Sequence, residues 1–277
     1  MSSPLKIYIH LGLHKTGSTL LQQKVFPFFE GLSYLGRPYG KDHFIESISW
    51  TRSKKILISS ETYPGRLLDS YSAGVSYLEV QLEGIERLLT IIPNSSIVIG
   101  VREHESWILS CYKHYIKYGG TLSLEEFFSL SGEGLMSPDE FLIWPRVKLL
   151  DEMTDGRVFV YFLEDFTSSP GSVVRGLERF FQSDYTGNLL FGKENEGVNR
   201  SQAEVVRQVN NWIFKNVKKS KMQKLLTKKS YSFIKKFIST RGEPLSYDSD
   251  ASSAILKHYE DDLRKLSIRV TRQSPCA

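Results

Sequence analysis

Cysteine is scarce in this sequence, with only Cys111 and Cys276 in 277 residues. Neither belongs to a C-x-x-C pair, so they offer no metal-ligand spacing and no disulfide framework. A reduced, cytoplasmic setting is the simplest expectation. Long apolar runs are missing as well, and without a stretch of bilayer-spanning length no transmembrane segment is expected. The first strand pattern begins by about Leu5, so no signal peptide is expected ahead of it. Internal repeats and low-complexity linkers are absent too. Acidic residues are missing from one long segment. Between Lys215 and Arg241 the chain carries ten Lys/Arg and no Asp or Glu. The remainder holds 26 basic against 31 acidic residues, so the overall charge of +5 is a local feature. Such a segment fits an anionic acceptor, a membrane or a nucleic acid. It equally fits a solvated helix face whose other side is buried through Val217, Leu225, Leu226, Phe233, Ile234 and Phe237.

Hydrophobic residues make up 40% and charged residues 24%, an ordinary globular composition at a length that suits one large α/β domain over 1–277. Four apolar runs read as strands: 6–11, 55–59, 96–101 and 157–163. Helical patterns lie at 18–29, 75–92, 104–118, 138–154 and 170–182. Near-continuous apolar strands alternating with amphipathic helices predict a mostly parallel sheet covered on both faces. The expected α/β core therefore covers 5–182. From Asn199 to the end the reading is helical, an extension packed on that core. Loops at 31–54, 119–122 and 183–200 are candidates to cover a site.

The stretch "HLGLHKTGST" resembles a phosphate-binding loop with its lysine displaced. Gly12 and Gly17 have the spacing of G-x-x-x-x-G-K-[ST], but Ser18 fills the lysine slot and Lys15 precedes Gly17. A strand feeding a glycine turn and then a helix leaves N–H donors, from about Gly17 to Leu20, that favour phosphate or sulfate. The plain alternative is a strand-to-helix turn capped by a hydroxyl. The other strand ends weigh against it. Ser60-Glu61, Arg102 and Glu164-Asp165 follow the second, third and fourth strands, at the edge where open parallel sheets bind ligands. Four strand ends presenting cations, hydroxyls and carboxylates predict a reaction site.

These residues carry a family resemblance. The chain resembles the sulfotransferases that use 3′-phosphoadenosine 5′-phosphosulfate (PAPS), whose donor loop has the form K-[TS]-G-[TS]-[TS]; here "HKTGST" fits it. The second signature is an Arg ending a central strand with a Ser eight residues on, supplied here by Arg102 and Ser110 in "VREHESWILS". "YFLEDF" followed by "SSPGSVVRGLERFF" loosely matches a further strand end and helix. The resemblance runs in order over roughly residues 5 to 182, while the C-terminal third matches weakly.

The resemblance implies a P-loop-like three-layer sandwich and the following roles. Lys15 stabilises the bridging oxygen as the sulfuryl group leaves, which explains a lysine moved away from any γ-phosphate. Thr16, Gly17, Ser18 and Thr19 hold the phosphosulfate through N–H and hydroxyl donors. Arg102 and Ser110 hold the 3′-phosphate. Asn199 and Arg200, in "EGVNRSQ", resemble a late loop that closes on the nucleotide, so Arg200 joins the cofactor-binding set. Family members work without a catalytic metal, so none is expected. The product is adenosine 3′,5′-bisphosphate (PAP).

The acceptor hydroxyl needs a base. Carbohydrate-type relatives use a Glu beyond the second strand, and "SSETYPG" places Glu61 comparably, with Thr62 where their pattern has a lysine. Glu61 is therefore the expected base and a saccharide the expected acceptor. An anionic or lipid-linked acceptor stays open, and no nucleic-acid partner is expected. His14 is a further candidate for contact with phosphate or acceptor, or else a structural histidine. Glu164 and Asp165 serve equally well as caps. Trp50, Tyr63 and Trp144 could line an acceptor cleft, although core packing is the ordinary fate of such residues. Two other readings compete. A P-loop nucleotide or sugar kinase needs a lysine at position 18 and a magnesium-binding acid where Arg102 stands. A non-catalytic anion-binding interaction protein explains the basic segment but not four functionalised strand ends.

Overall fold

The computed structural model describes residues 4–36, 53–189, 198–238 and 242–273. Strands β1 (Lys6–Gly12), β2 (Ser33–Leu35), β3 (Lys55–Ser60), β4 (Ser96–Val101) and β5 (Val158–Phe162) form one parallel sheet in the order β2-β3-β1-β4-β5. The expected parallel α/β architecture is the observed one. β1 is central, with Leu11 beside Ser60 of β3 and Gly12 beside Gly100 of β4. From β1 the chain runs to the edge strand β2, returns to β3 between the two, and then crosses over to β4 on the other side of β1. The crevice between the ends of β1 and β4 is the topological switch point where such sheets bind ligands.

Period-two alternation along β1 divides the core into two layers. Ile9 and Leu11 join one buried cluster, while Tyr8 joins the other with Leu57, Val98 and Tyr161. The Tyr8 face is covered by α1 (Ser18–Lys24) through Leu21, and by a later helix, Pro170–Phe181, through Val173, Val174, Leu177 and Phe181. The opposite face carries the larger layer. Its helices are α2 (Leu67–Ala73), α3 (Tyr77–Ile91), α4 (His104–Lys117) and α5 (Trp144–Thr154). After β5 come α6 (Leu163–Ser168) and α7, the Pro170–Phe181 helix. Then follow α8 (Arg200–Asn216), α9 (Ser220–Phe237), α10 (Ser249–His258) and α11 (Glu260–Gln273). Val206, Ile234, Ile255 and Leu266 bring these last four into the same buried cluster as β4.

Polar anchors fix the last helix to the sheet. The Gln273 amide donates to Val160 O (2.7 Å) and accepts from Val160 N (2.6 Å), completing the exposed edge of β5. Asp262 accepts from the Ile143 and Trp144 N–H groups at the start of α5 and pairs with buried His104 at 3.0 Å. His104 is thereby committed to structure.

Some elements differ from the sequence reading. Within the expected loop 31–54, β2 adds a three-residue edge strand, too short to give a pattern of its own; Trp50 lies outside the described residues. The 18–29 helix stops at Lys24 and gives way to a 3-10 turn at Phe26–Phe28, because Pro27 cannot extend an α-helix. The 138–154 pattern divides in the same way into a 3-10 turn, Pro138–Phe141, and α5. Among the described residues no helix is long and apolar enough to cross a membrane.

Candidate active site

β1 ends in a turn in which the carbonyls of Leu13, His14 and Lys15 each accept a hydrogen bond. Thr16 donates its N–H (3.3 Å) and its hydroxyl (2.6 Å) to Leu13 O. The Trp107 indole donates to His14 O (2.8 Å), and Arg102 Nη1 donates to Lys15 O (3.1 Å). These ties hold Lys15 at φ 72°, a left-handed conformation that non-glycine residues seldom adopt. Gly17 follows at φ 82°, and a Cβ there would sit 2.6 Å from Leu163 Cδ1. Among the described residues no acceptor takes the N–H of Gly17, Ser18 or Thr19. These are the donors left over where a helix begins.

A cavity of about 530 Å³ opens beside this loop. The loop contributes Lys15 and Thr19, and the end of β4 contributes Arg102. One face of α4 adds Ser106, Ser110, Lys113, His114 and Lys117, residues three and four apart and so aligned along the helix. The far wall is α9, through Tyr231 and Lys235. Five cations line this space and no acid does. Among the described residues, Arg102 alone of the five has a carboxylate within ion-pair distance, Glu164 at 3.8 Å. Burial lowers the Lys15 pKa, and the charges of Lys117 and Arg102 push it the same way. Burial also lowers that of Lys113, aided by Arg102 and Lys15. Cations desolvated against one another are relieved by an anion, so the cavity is built for a polyanionic ligand.

Glu61 stands just past β3, off the cavity wall. Gly12 makes room for it: a Cβ at that position would lie 2.9 Å from Glu61 Cγ and within contact of the Ser18 hydroxyl. Burial pushes the Glu61 carboxyl upward, but His14, the Ser18 hydroxyl and the charge on His10 outweigh it and hold the group below its ordinary range. His14 Nδ1 lies 3.7 Å from Glu61 Oε2, an electrostatic contact longer than a hydrogen bond. His14 Nε2 is buried and, among the described residues, has no hydrogen-bond partner. The His14 ring stacks at 6.4 Å on His114, which burial and the charge of Lys15 push down to about 3, so His114 is neutral.

Lys15, Thr19, Arg102 and Ser110 thus line one cavity. Other expected residues turn elsewhere. Thr16 uses its donors on Leu13 O, and the Ser18 side chain is buried against the end of β1, so within the loop Thr19 is the hydroxyl that faces the cavity. Arg200 donates to Ser246 O (2.7 Å) and lines a separate hollow with Phe128 and Tyr247. Asn199 caps α8 by accepting from Gln202 N (2.8 Å). Trp144 and Tyr63 pack against the core. Glu164 is more than a cap, for it accepts from Ser106 Oγ (3.1 Å) besides pairing with Arg102. Lys113, Lys117, Tyr231 and Lys235 were not foreseen. The lysines on α4 were legible as the continuation of the Ser106–Ser110 face. Tyr231 and Lys235 depend on how α9 packs, which local sequence does not state. Among the described residues no three of His, Cys, Asp and Glu gather as a metal-holding group.

Two similar solved structures are sulfotransferases. One, from Alicyclobacillus acidocaldarius, is 15% identical, with 78% of this chain and 92% of that one covered and a TM-score of 0.49. Another, mouse sulfotransferase SULT7A1 complexed with PAP, is 13% identical, with 95% of this chain and 85% of that one covered and a TM-score of 0.47. No family model and no curated relative matches the chain. Likenesses this distant carry nothing about chemistry, which rests on the residues themselves.

Proposed function

We propose that this chain is a sulfotransferase that moves the sulfuryl group of PAPS to an acceptor hydroxyl, with a saccharide as the acceptor class. The observation that supports it best is the position of Lys15. It is held in a left-handed bend, on the wall of a cation-lined cavity, within electrostatic reach of both Glu61 and Arg102. In this reading the N–H groups of Gly17, Ser18 and Thr19 and the Thr19 hydroxyl hold the phosphosulfate. Arg102 and Ser110 hold the 3′-phosphate through charge-assisted bonds. The acceptor oxygen bonds to sulfur as the bond from sulfur to the bridging oxygen breaks. Lys15 stabilises the charge gathering on that oxygen, and the acceptor proton passes to Glu61. PAP then departs with the bridging oxygen. A kinase reading has less support, since Ser18 stands where the phosphate lysine belongs and its side chain is buried away from the cavity.

A second assignment of the base is favoured by one contact. His14, 3.7 Å from Glu61, has a buried Nε2 without a partner among the described residues, and in this assignment the imidazole takes the proton while Glu61 orients it. The function is tested by binding and by transfer. PAP should raise the melting temperature well above the effect of ATP, because a ligand that binds only the native state stabilises it. Lys15→Ala should remove transfer of sulfate from PAPS and leave the fold intact. Equal stabilisation by ATP, together with a magnesium requirement for turnover, would overturn the reading.

A further inference from the structure

Helix α9 has an unusual outer surface. Met222, Leu225, Phe233 and Phe237 are 45%, 53%, 61% and 64% exposed. Together with Lys229 they recur in steps of three and four, which places them in one stripe along about 23 Å of helix. The Phe233 and Phe237 rings rest on each other at 4.5 Å, in water rather than in the core. The solvated-helix alternative in the sequence puts Leu225, Phe233 and Phe237 on the buried side. The buried residues are instead Thr227 and Ile234, since that face packs against α8 and α4. Lys221, Lys224, Lys228 and Lys236 are also exposed, and the helix contains no acid. The exposed side of α9 is therefore a stripe of Met222, Leu225, Phe233 and Phe237 interrupted by Lys229, with Lys221, Lys224 and Lys228 along its flank.

We propose that this face of α9 docks on an anionic membrane surface, with the aromatic and aliphatic side chains entering the headgroup region and the lysines pairing with lipid phosphates. A strongly cationic helix with an apolar stripe of this kind lies in the plane of a bilayer interface. Charge complementarity selects this occupant over a second copy, since joining two such faces would bring like-charged lysines together. It also distinguishes the face from a purely electrostatic one, which would have no use for exposed Met, Leu and Phe. The inner side of the same helix carries Tyr231 and Lys235 into the cavity, so docking ties the cavity to the membrane surface. This inference does not depend on the reaction catalysed.

The test is sedimentation of the full chain with vesicles. Mixed phosphatidylcholine and phosphatidylglycerol vesicles should carry the protein down, and vesicles of phosphatidylcholine alone should not. Phe233→Ser with Phe237→Ser should weaken partitioning by about tenfold or more for the pair. Lys221→Gln, Lys224→Gln and Lys228→Gln together should weaken it roughly a hundredfold, since each lysine near an anionic surface contributes about fivefold. All variants should bind PAP as the wild type does, which separates loss of docking from misfolding. The proposal is overturned if anionic vesicles leave the protein in solution. It is equally overturned if only the lysine variants matter, as a nucleic-acid or other polyanion site would require. A concentration-dependent dimer that disappears in the Phe variants would show that a second copy covers the stripe, and would overturn it too.

Discussion

Arg102 and Glu164, from the ends of neighbouring strands β4 and β5, face each other at 3.8 Å with the Ser106 hydroxyl between them. Arg102 Nε donates to Ser106 Oγ at 2.8 Å, and Ser106 Oγ donates to Glu164 Oε1 at 3.1 Å. With Nη1 fixed on Lys15 O, the guanidinium plane is set before any ligand arrives. The same contacts couple it to the loop, because the carbonyl it holds belongs to the strained residue Lys15. Prepositioning of this kind lowers the ordering cost of binding.

The first prediction follows from that fork. Arg102→Ala should weaken PAP binding at least tenfold, since a charge-assisted contact contributes about 1.5–3 kcal/mol. Arg102→Lys should rescue little, because an ammonium cannot hold Lys15 O, Ser106 and a phosphate at once. Ser110→Ala should cost less than either. Calorimetry with PAP and with adenosine 5′-monophosphate is the check. Equal losses for both ligands would make Arg102 a structural residue only.

Lys15 allows a test that separates strain from chemistry. Lys15→Ala and Lys15→Gly both remove the ammonium, and both should lose transfer from PAPS. They should differ in stability. Alanine keeps a side chain at φ 72°, whereas glycine adopts that conformation freely, so the Gly variant should be more stable by about 1 kcal/mol. Urea denaturation of the two variants measures the difference. A Gly variant less stable than the Ala variant would mean that the bend is not strained.

Within the basic segment, position decides function. Lys235 lines the cavity, while Lys218 and Lys221 are not among its lining residues. Lys235→Gln should weaken PAP binding several-fold at low salt, about 1 kcal/mol for a partly screened charge, and the loss should shrink as salt rises. Lys218→Gln should change PAP binding little. If the two variants behave alike, the cavity charge acts as a diffuse field.

Much of the fold was legible because each long strand declares itself. Apolar runs such as "SIVIGV" admit only burial on both faces, and Lys15, Arg102 and Ser110 lie at fixed short distances from the ends of such runs. Local spacing therefore placed them. What escaped the sequence is set by pairs far apart in the chain. Nothing in the sequence near Arg102 points to its partner Glu164, which follows the neighbouring strand β5. Tyr231 reaches the cavity only because α9 packs on α4. The orientation of α9 was misread for a related reason: its apolar residues are numerous enough to describe two faces, and only packing chooses which one is buried.

Acid should destabilise the protein through its buried histidines. His10 is fully enclosed, bonded to Ser59 Oγ at 2.7 Å, and burial pushes it down to about 4 from an ordinary 6.5. Between those values the unfolded chain binds a proton that the folded chain refuses, so stability falls as pH drops from about 6.5 and levels off near 4. The full effect is about 3 kcal/mol, at 1.36 kcal/mol per pKa unit. His114 acts in the same direction. Urea midpoints measured from pH 7 downward should show the slope, and His10→Gln should flatten it even if that variant is less stable at neutral pH. An unchanged slope would remove His10 as its source.

The identity of the base can be settled by a pH profile in two variants. Glu61 is held below the ordinary carboxylate range, so at neutral pH it is ionised and ready to accept a proton. If it is the base, kcat should stay flat until the solution is more acidic than a free carboxylate would require, and then fall. Glu61→Gln keeps the size of the side chain and should lose kcat by about 10²–10⁴-fold, with PAP affinity unchanged. His14→Gln should then cost less, because His14 supports the carboxylate from 3.7 Å without receiving the proton. If His14 is the base, the order reverses: His14→Gln becomes the more damaging change. In that case Glu61→Gln would still lower kcat, by leaving the imidazole without the group that orients it. The profile must be taken with PAP binding followed in parallel, since acid also unfolds the chain through His10. A loss of rate that tracks the loss of PAP binding reports unfolding, whereas one that precedes it reports the base.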